Sequence, residues 1–481
     1  MEMKKNIVFI LILCCFSLIK AQTDTLVVSL QSQSVKTDFT TIQNALSNKS
    51  PKPLKIILNG NFFIDKTLVT ARDHTIIAFA KNATLNLRNE NEGGLIIAHN
   101  NVTVKGGAII GNGLSTKDFY KGYGILLSGA KNGTIKNIIL KKISGIGLFI
   151  ANAGEKGSSN NTVINNKFIN SAMNLGQSGD TLAILLGYSG YNYSHDNNVI
   201  KNNLIDGDNQ LKIGIGIIGH GNNNIIENNT IQNLLDYGVM AYESQAVGGT
   251  LNKTIIRNNT ITNIGEIGNK QTVKGMGIYI MKSHNSIIEG NKVSYVLRNS
   301  DRTETLTQGA IASSGGENVK IINNTISESP MYGIVMAYGF NSEISNNKIN
   351  NVKKSGIYLI NLNDIQIKKN ILKNVGDVVF KGKFGYTGDQ IYSNNKLLNK
   401  HQNEFTGKNI SIVGNEVYSP KELVYFAGDD ATNITSKNII SNIDFSDNIV
   451  YGQNIKINSL INYKNTDGKT TIKNNKTIRS N

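Results

Sequence analysis

The chain has 481 residues, with 50 Lys and Arg against 34 Asp and Glu, two Cys, four Pro and no Trp. That length suffices for several compact domains or for one extended repeat domain. Both cysteines lie within the first 15 residues, so the rest of the chain holds no disulfide and has no thiol for catalysis.

The N-terminus reads MEMKKNIVFILILCCFSLIKAQ. Lys4 and Lys5 form a basic start, Ile7 to Ile19 an apolar run, and Ala21 a small-residue cleavage position, which together predict a signal peptide over 1–21. Lipid attachment at Cys14 or Cys15 fits poorly, because Leu13 and Cys14 precede them. The mature protein is expected to be secreted, periplasmic or held at the cell surface. The apolar run is too short for a comfortable span, and no other stretch is long enough for a transmembrane segment. Losing residues 1–21 removes three Lys and one Glu, leaving 47 basic and 33 acidic side chains, net +14. Such a balance suggests a polyanionic partner, although a Lys- and Asn-rich composition would give the same charge.

Residues 22–100 read as an N-terminal cap and first coils. DFTTIQNALSN (38–48) predicts a short amphipathic helix, followed by LKIILNGNFFIDKTLVT and GGLIIAHNNVTVKGG. Residues 101–481 carry a repeated line: Gly-apolar-x-apolar, a variable corner, two β-branched residues, then Asn-Asn. Examples are GIGIIGHGNNNIIENN (214–229), MGIYIMKSHNSIIEGN (276–291) and YGIVMAYGFNSEISNN (332–347). Looser copies end at Asn166, Asn203, Asn395, Asn415, Asn448 and Asn475, at closest 20 to 25 residues apart. Alternating Ile and Val with scarce Pro predict strands. Short strands with Asn and Gly at the corners, repeated at this period, predict a parallel β-solenoid. Its first coil needs a cap. The fold class is therefore all-β, a parallel β-helix with a short N-terminal capping helix.

The helix IQNAL followed by a strand of the form apolar-x-apolar, Gly, then Phe resembles the pectate-lyase-like superfamily of right-handed parallel β-helix proteins. The resemblance covers essentially the whole mature chain. It implies a carbohydrate ligand along one face of the helix, handled by a lyase, a hydrolase, an epimerase or a depolymerase.

Aligning coils on the closing Asn places His220, Lys282, Gly315 beside Ser314, Tyr338 and Asn361 in one vertical file. The coil between the first two brings Tyr242 and Glu243 to the same height, and an earlier one ends near Tyr188. At about 4.8 Å per coil such a file spans roughly 25 Å. Lys282, His220, Tyr338 and Tyr242 are the candidate catalytic residues, because each can transfer a proton. Glu243, Arg298, Arg302, His284 and Tyr188 are the candidate substrate-binding residues. The insertions 260–275, 292–307 and 245–252 are expected to wall a cleft. Arg298 and Arg302 in one of them, and Lys270 and Lys274 in another, suit substrate carboxylates. His195, with Tyr191 and Tyr193 as stacking aromatics, ranks second. A lone His or Lys at a solenoid corner is otherwise a solvated surface residue.

A uronate C5 proton is removed when the carboxylate is neutralised and a base stands close, and Lys, His, Tyr and Arg supply that set. Hydrolysis needs two carboxyl groups, whereas Glu243 is the one clear carboxylate in the file, with Asp180 the best second. GHG (219–221), GDD (428–430) and NTDG (465–468) echo polygalacturonases in the reverse order, which reads as chance. IGIGIIGHG resembles an alginate epimerase line at His220 but has Ile218 where the family has Asp. Lyases of this fold use a Lys base with an Arg acid; Lys282 suits the first role, and no Arg follows in the next strand. The leading expectation is a polysaccharide lyase cleaving an acidic, uronate-containing polysaccharide by β-elimination. A C5-epimerase, a glycoside hydrolase and a non-catalytic glycan-binding β-helix are the alternatives. Ca²⁺ is a candidate cofactor whose ligands the sequence does not place. Dispersed basic residues argue against nucleic acid, and a monomer is expected.

Overall fold

The computed structural model describes residues 23–29, 34–114, 116, 118, 120–170, 181–187, 193–242, 251–265, 275–296, 308–384, 406–428, 440–453, 455–464 and 470–479. Within them the chain winds as a parallel β-helix, as its repeat predicts. Three long sheets of 16, 15 and 14 strands run along the axis, and every strand in them pairs in parallel with its neighbours. One coil contributes a strand to each, for example Ile287–Glu289 to the 16-stranded sheet, Lys292–Val296 to the 15-stranded and Gly309–Ser314 to the 14-stranded. A small three-stranded sheet, Gly221–Asn222, Leu251–Asn252 and Ser283–His284, lines one corner.

Alternation inside each strand puts Ile and Val inward. Ile256, Ile288, Ile321, Ile344 and Ile367 stack in register and are fully buried. Val239, Ile278, Ile311, Ile334 and Ile357 do the same in the 14-stranded sheet. Each buried side chain of this size contributes about 1.5–3 kcal/mol. The repeated Gly that opens these strands has a steric cause: a Cβ on Gly238 would stand 2.5 Å from the Gly277 carbonyl oxygen, and one on Gly333 2.6 Å from that of Gly356.

The Asn-Asn signature splits into two roles. The first Asn turns the corner in the left-handed region, as at Asn258 (φ 56°) and Asn323 (φ 58°), where Gly290 and Lys369 substitute in sibling coils. The second is buried and stacked. Asn291 Oδ1 accepts from the Asn259 backbone N–H at 2.9 Å and from its Nδ2 at 3.0 Å. Asn291 Nδ2 donates to Ile256 O at 2.9 Å and to Asn324 Oδ1 at 3.0 Å. The same pattern runs through Asn166, Asn203, Asn229, Asn259, Asn291, Asn324, Asn347, Asn370, Asn415, Asn448 and Asn475. Asn370 pairs directly with Asn415, so the expected copy ending at Asn395 is not a rung of this ladder. Asn395 itself lies outside the described residues.

The helix is Val35–Leu46, three residues earlier than the sequence predicts. It buries Ile42 and Leu46 over the first coil. Asp38 Oδ2 accepts from the Phe63 N–H at 2.9 Å. Gln43 Oε1 accepts from the Val69 N–H and its Nε2 donates to Val69 O. Val69 belongs to the first strand of the 14-stranded sheet, so Gln43 closes an edge that would otherwise stay open.

Removing a central rung by Asn291→Ala strands the Asn259 N–H and Nδ2–H and should cost about 2–4 kcal/mol in chemical denaturation. Asn323→Gly, at the outer turn, should be neutral or stabilising. Equal losses at both positions would contradict the division of roles.

Candidate functional site

The 14-stranded sheet ends at a corner where the chain must turn left-handed. Hydrogen bonds across coils align Gly219 (φ 99°), Lys282 (φ 52°), Gly315 (φ 70°), Tyr338 (φ 55°) and Asn361 (φ 45°). Gly and Asn belong there on backbone grounds, whereas Lys and Tyr cost about 1 kcal/mol or more. The conformation alone does not mark Lys282, since Lys142, Lys253 and Lys369 turn the same way while exposed. Burial does. Lys282 is 0% exposed, the one Lys so buried among the described residues.

Three polar atoms in this corner are buried with no hydrogen-bond partner: Lys282 Nζ, His284 Nε2 and Ser314 Oγ. They sit on neighbouring coils. Lys282 N–H donates to Ser314 O at 2.7 Å, and Ser314 lies opposite Met281 in register. His284 Nδ1 accepts from the Glu317 N–H at 3.3 Å, and burial pushes the imidazole below its ordinary pKa while Glu317 opposes this. A neutral ring whose Nδ1 accepts must carry its proton on Nε2. The orphaned His284 atom is therefore a donor, and Lys282 Nζ and the Ser314 hydroxyl carry donor hydrogens as well. An unpaired buried polar group costs about 1–3 kcal/mol, more when charged, and such groups need an explanation in a native fold.

The other predicted residues fall less simply. His220 is not in register with Lys282; Gly219 is, and His220 is an extra residue in a longer corner. Its carbonyl accepts from the His195 N–H at 3.2 Å. Tyr242 is one position earlier, opposite Ile218 and Met281, because it ends its strand and does not turn the corner. Tyr338, expected to face a cleft, is 2% exposed and packs with Ala337, Phe340, Tyr358 and Ile360. Lys282 and His284, expected like Tyr338 to face a cleft, are likewise buried. Glu243, Arg298, Arg302, Tyr188, Asp180, Lys270, Lys274 and Tyr191 lie outside the described residues. Residues 260–264 and 292–296, expected as the starts of walling loops, are strands of the 15-stranded sheet, and 251–252 is a corner strand. His195 is 2% exposed and its Nδ1 accepts from the Ser158 N–H at 3.2 Å.

An outward aromatic strip beside the corner was not singled out from the sequence. Tyr279 alternates with the inward Ile278 and Ile280, and its ring lies 5.9 Å from that of Tyr237. Burial pushes its hydroxyl up to about 12, and it donates to Met281 Sδ at 3.3 Å. Further along, Tyr332 and Tyr358 are 4.7 Å apart. The signal was present: in GIYIMK and SGIYLI the Tyr occupies the phase opposite to the core Ile. Among the described residues no three His, Cys, Asp or Glu side chains gather in a way that could hold a metal ion, and no helix is long and apolar enough to cross a membrane.

Stacked parallel sheets with a laddered corner define a β-solenoid, and comparison with known proteins gives its kind. The family model described as the right handed beta helix region matches residues 94–296 and 196–419. The chain belongs to that family. No curated protein matches the chain. Its fold is similar to the catalytic domain of a GH87 α-1,3-glucanase solved with tetrasaccharides, at 18% identity and a TM-score of 0.55, covering 79% of this chain and 69% of that one. It is also similar to the pre-mature bacteriophage phi29 gene product 12, at 12% identity and a TM-score of 0.54, covering 97% and 59%. An alginate lyase from Paenibacillus sp. str. FPU-7 aligns at 16% identity and a TM-score of 0.42, covering 68% and 97%. At these identities the likeness is one of fold.

Replacing Lys282 by the Gly found at 315 relieves the left-handed turn and removes the orphaned Nζ. Lys282→Gly should raise unfolding stability by about 1 kcal/mol or more. A loss of stability would show that packing of the buried Lys282 side chain outweighs the cost of its turn and its unpaired Nζ. Burial pushes His195 down to about 4, so the unfolded chain takes up that proton first. Its contribution is whole above about pH 6.5 and is lost as pH falls toward 4, roughly 3 kcal/mol in all. His195→Gln should lose less stability between pH 7.5 and 4 than the parent; an equally steep loss would clear His195 of the effect.

Proposed function

We propose that the protein is a secreted polysaccharide lyase that cleaves a uronate-containing polysaccharide by β-elimination at the Lys282 corner. The observation that carries this reading is the trio of buried, unpartnered donors Lys282 Nζ, His284 Nε2 and Ser314 Oγ on adjacent coils. A group of donors without an acceptor is complementary to an anionic oxygen, and a uronate carboxylate offers two such oxygens. The net charge of +14 after loss of residues 1–21 favours the same polymer.

In the proposed reaction His284 and Ser314 hold the sugar carboxylate, which acidifies the C5 proton. Lys282 Nζ takes that proton; the C5–H electron pair forms the C4=C5 double bond, the C4–O4 bond breaks, and O4 leaves with the proton returned from Nζ. Lys282 is the proton-transfer group at this corner. His220 and Tyr242, on the two preceding coils, are proposed to border the chain of sugars, and Tyr338 to support the corner through its apolar contacts. Glu243, Arg298, Arg302 and Tyr188 remain proposed substrate contacts. Any Ca²⁺ would add charge neutralisation to the same step.

Polyuronates and glycosaminoglycans incubated with the protein should gain the ultraviolet absorbance of an unsaturated uronate. Lys282→Gly should lower that rate by about a hundredfold or more while remaining folded. Altered polymer NMR without absorbance would point instead to C5 epimerisation, and new reducing ends alone to hydrolysis. No change on any polymer would leave a glycan-binding protein.

A further inference from the structure

A second feature on the same sheet face owes nothing to the Lys282 corner. A depression of about 490 Å³ is lined by Asp118, Tyr120, Leu126, Phe149, Glu155 and Tyr193, among others. Its size falls within the range of small-ligand sites, about 300–1,000 Å³. We infer that it is a binding subsite for a neutral pyranose ring of a glycan.

The floor is apolar and aromatic. Leu126 and Phe149 project outward in register from Ile125–Ser128 and Leu148–Ala151. The Tyr120 and Phe149 rings stand 5.8 Å apart with a 33° tilt, which offers a ring-sized surface to the C–H face of a sugar. The rim is acidic and held in place. Asp118 Oδ1 accepts from the Tyr120 N–H at 3.0 Å, and Thr116 Oγ1 donates to Asp118 O at 2.9 Å. Glu155 is carried at the tip of a turn closed by reciprocal bonds between Ala153 and Lys156, at 2.9 and 3.0 Å. Gly154 takes φ 55° in that turn, and Asn152 Nδ2 ties it by donating to Gly154 O at 2.8 Å.

Carboxylates accept hydrogen bonds from sugar hydroxyls and repel a uronate. The rim therefore selects a neutral ring, which is the opposite preference to that of the donor corner. In the sheet order, Leu148–Ala151 is followed by Leu182–Leu186, Ile213–Ile218, Tyr237–Tyr242 and Met276–Met281. Four steps at about 4.8 Å put the depression about 19 Å from the corner along the axis, a distance one polymer chain can bridge.

The test is binding to the full chain and does not read lyase activity, so it stands or falls apart from the proposed reaction. Neutral tetrasaccharides of glucose, galactose and mannose, and uronate tetrasaccharides as controls, are titrated calorimetrically against the protein and three variants. At least one neutral oligosaccharide should bind. Tyr120→Ala should weaken it about tenfold, with Glu155→Gln weakening it severalfold and circular dichroism unchanged. Glu155→Lys should shift preference toward the uronate series. Absence of neutral-sugar binding at millimolar concentration, or unchanged binding in Tyr120→Ala with the fold intact, would overturn the assignment.

Discussion

From Asn166 to Asn475 a stack of buried amides holds the coils in register. Between its two ends, each ladder Asn uses both lone pairs of Oδ1 and both hydrogens of Nδ2 within the stack, as Asn291 does with Asn259, Ile256 and Asn324. That is the full capacity of the group, so its burial has no unmet cost. A one-residue slip would carry the outer turn Asn inward and expel the ladder Asn. It would also turn every inward Ile to the outside. The three sheets share this constraint along 166–475, and Asn161, Asn198 and Asn224 add a second short ladder at another corner.

A fixed register makes corners interchangeable in backbone and free in side chain. Gly219, Gly315 and Asn361 show what the turn asks for. Lys282 departs from it twice, in its left-handed backbone and in a side chain buried without a partner. A stack tied on both sides can hold such a residue, because neighbouring coils over-determine its position. The loss is local, and the burial of Ile256, Ile288 and Ile321 beside it is unaffected.

The 14-stranded sheet offers two chemically opposed regions on one face. The Lys282 corner holds buried donors. The Tyr120–Phe149 depression presents ring faces and carboxylates. The depression uses the phase of the strand that points away from the core, so it does not compete with the packing that stabilises the coils. Solenoids are suited to this arrangement: each coil depends only on its neighbours, and side-chain chemistry can vary along the axis without disturbing distant coils.

The sequence by itself determined the architecture. Alternating Ile and Val, the recurrent Gly and the Asn-Asn closures are local signals that repeat, and repetition makes them legible. It also pointed to Lys282 and His284 as departures from the pattern. It could not place His220, because one extra residue in its corner shifts the file and only the pairing of Gly219 reveals it. Counting back from the closing Asn likewise treated Asn395 as a rung, although the ladder passes from Asn370 to Asn415. Burial of Lys282, His284 and Tyr338, the orphaned donors, and the meeting of Asp118 with Glu155 were decided by the tertiary structure alone. Those depend on what neighbouring coils bring alongside, and residues thirty or more apart in sequence become neighbours only once the ladder has set the register.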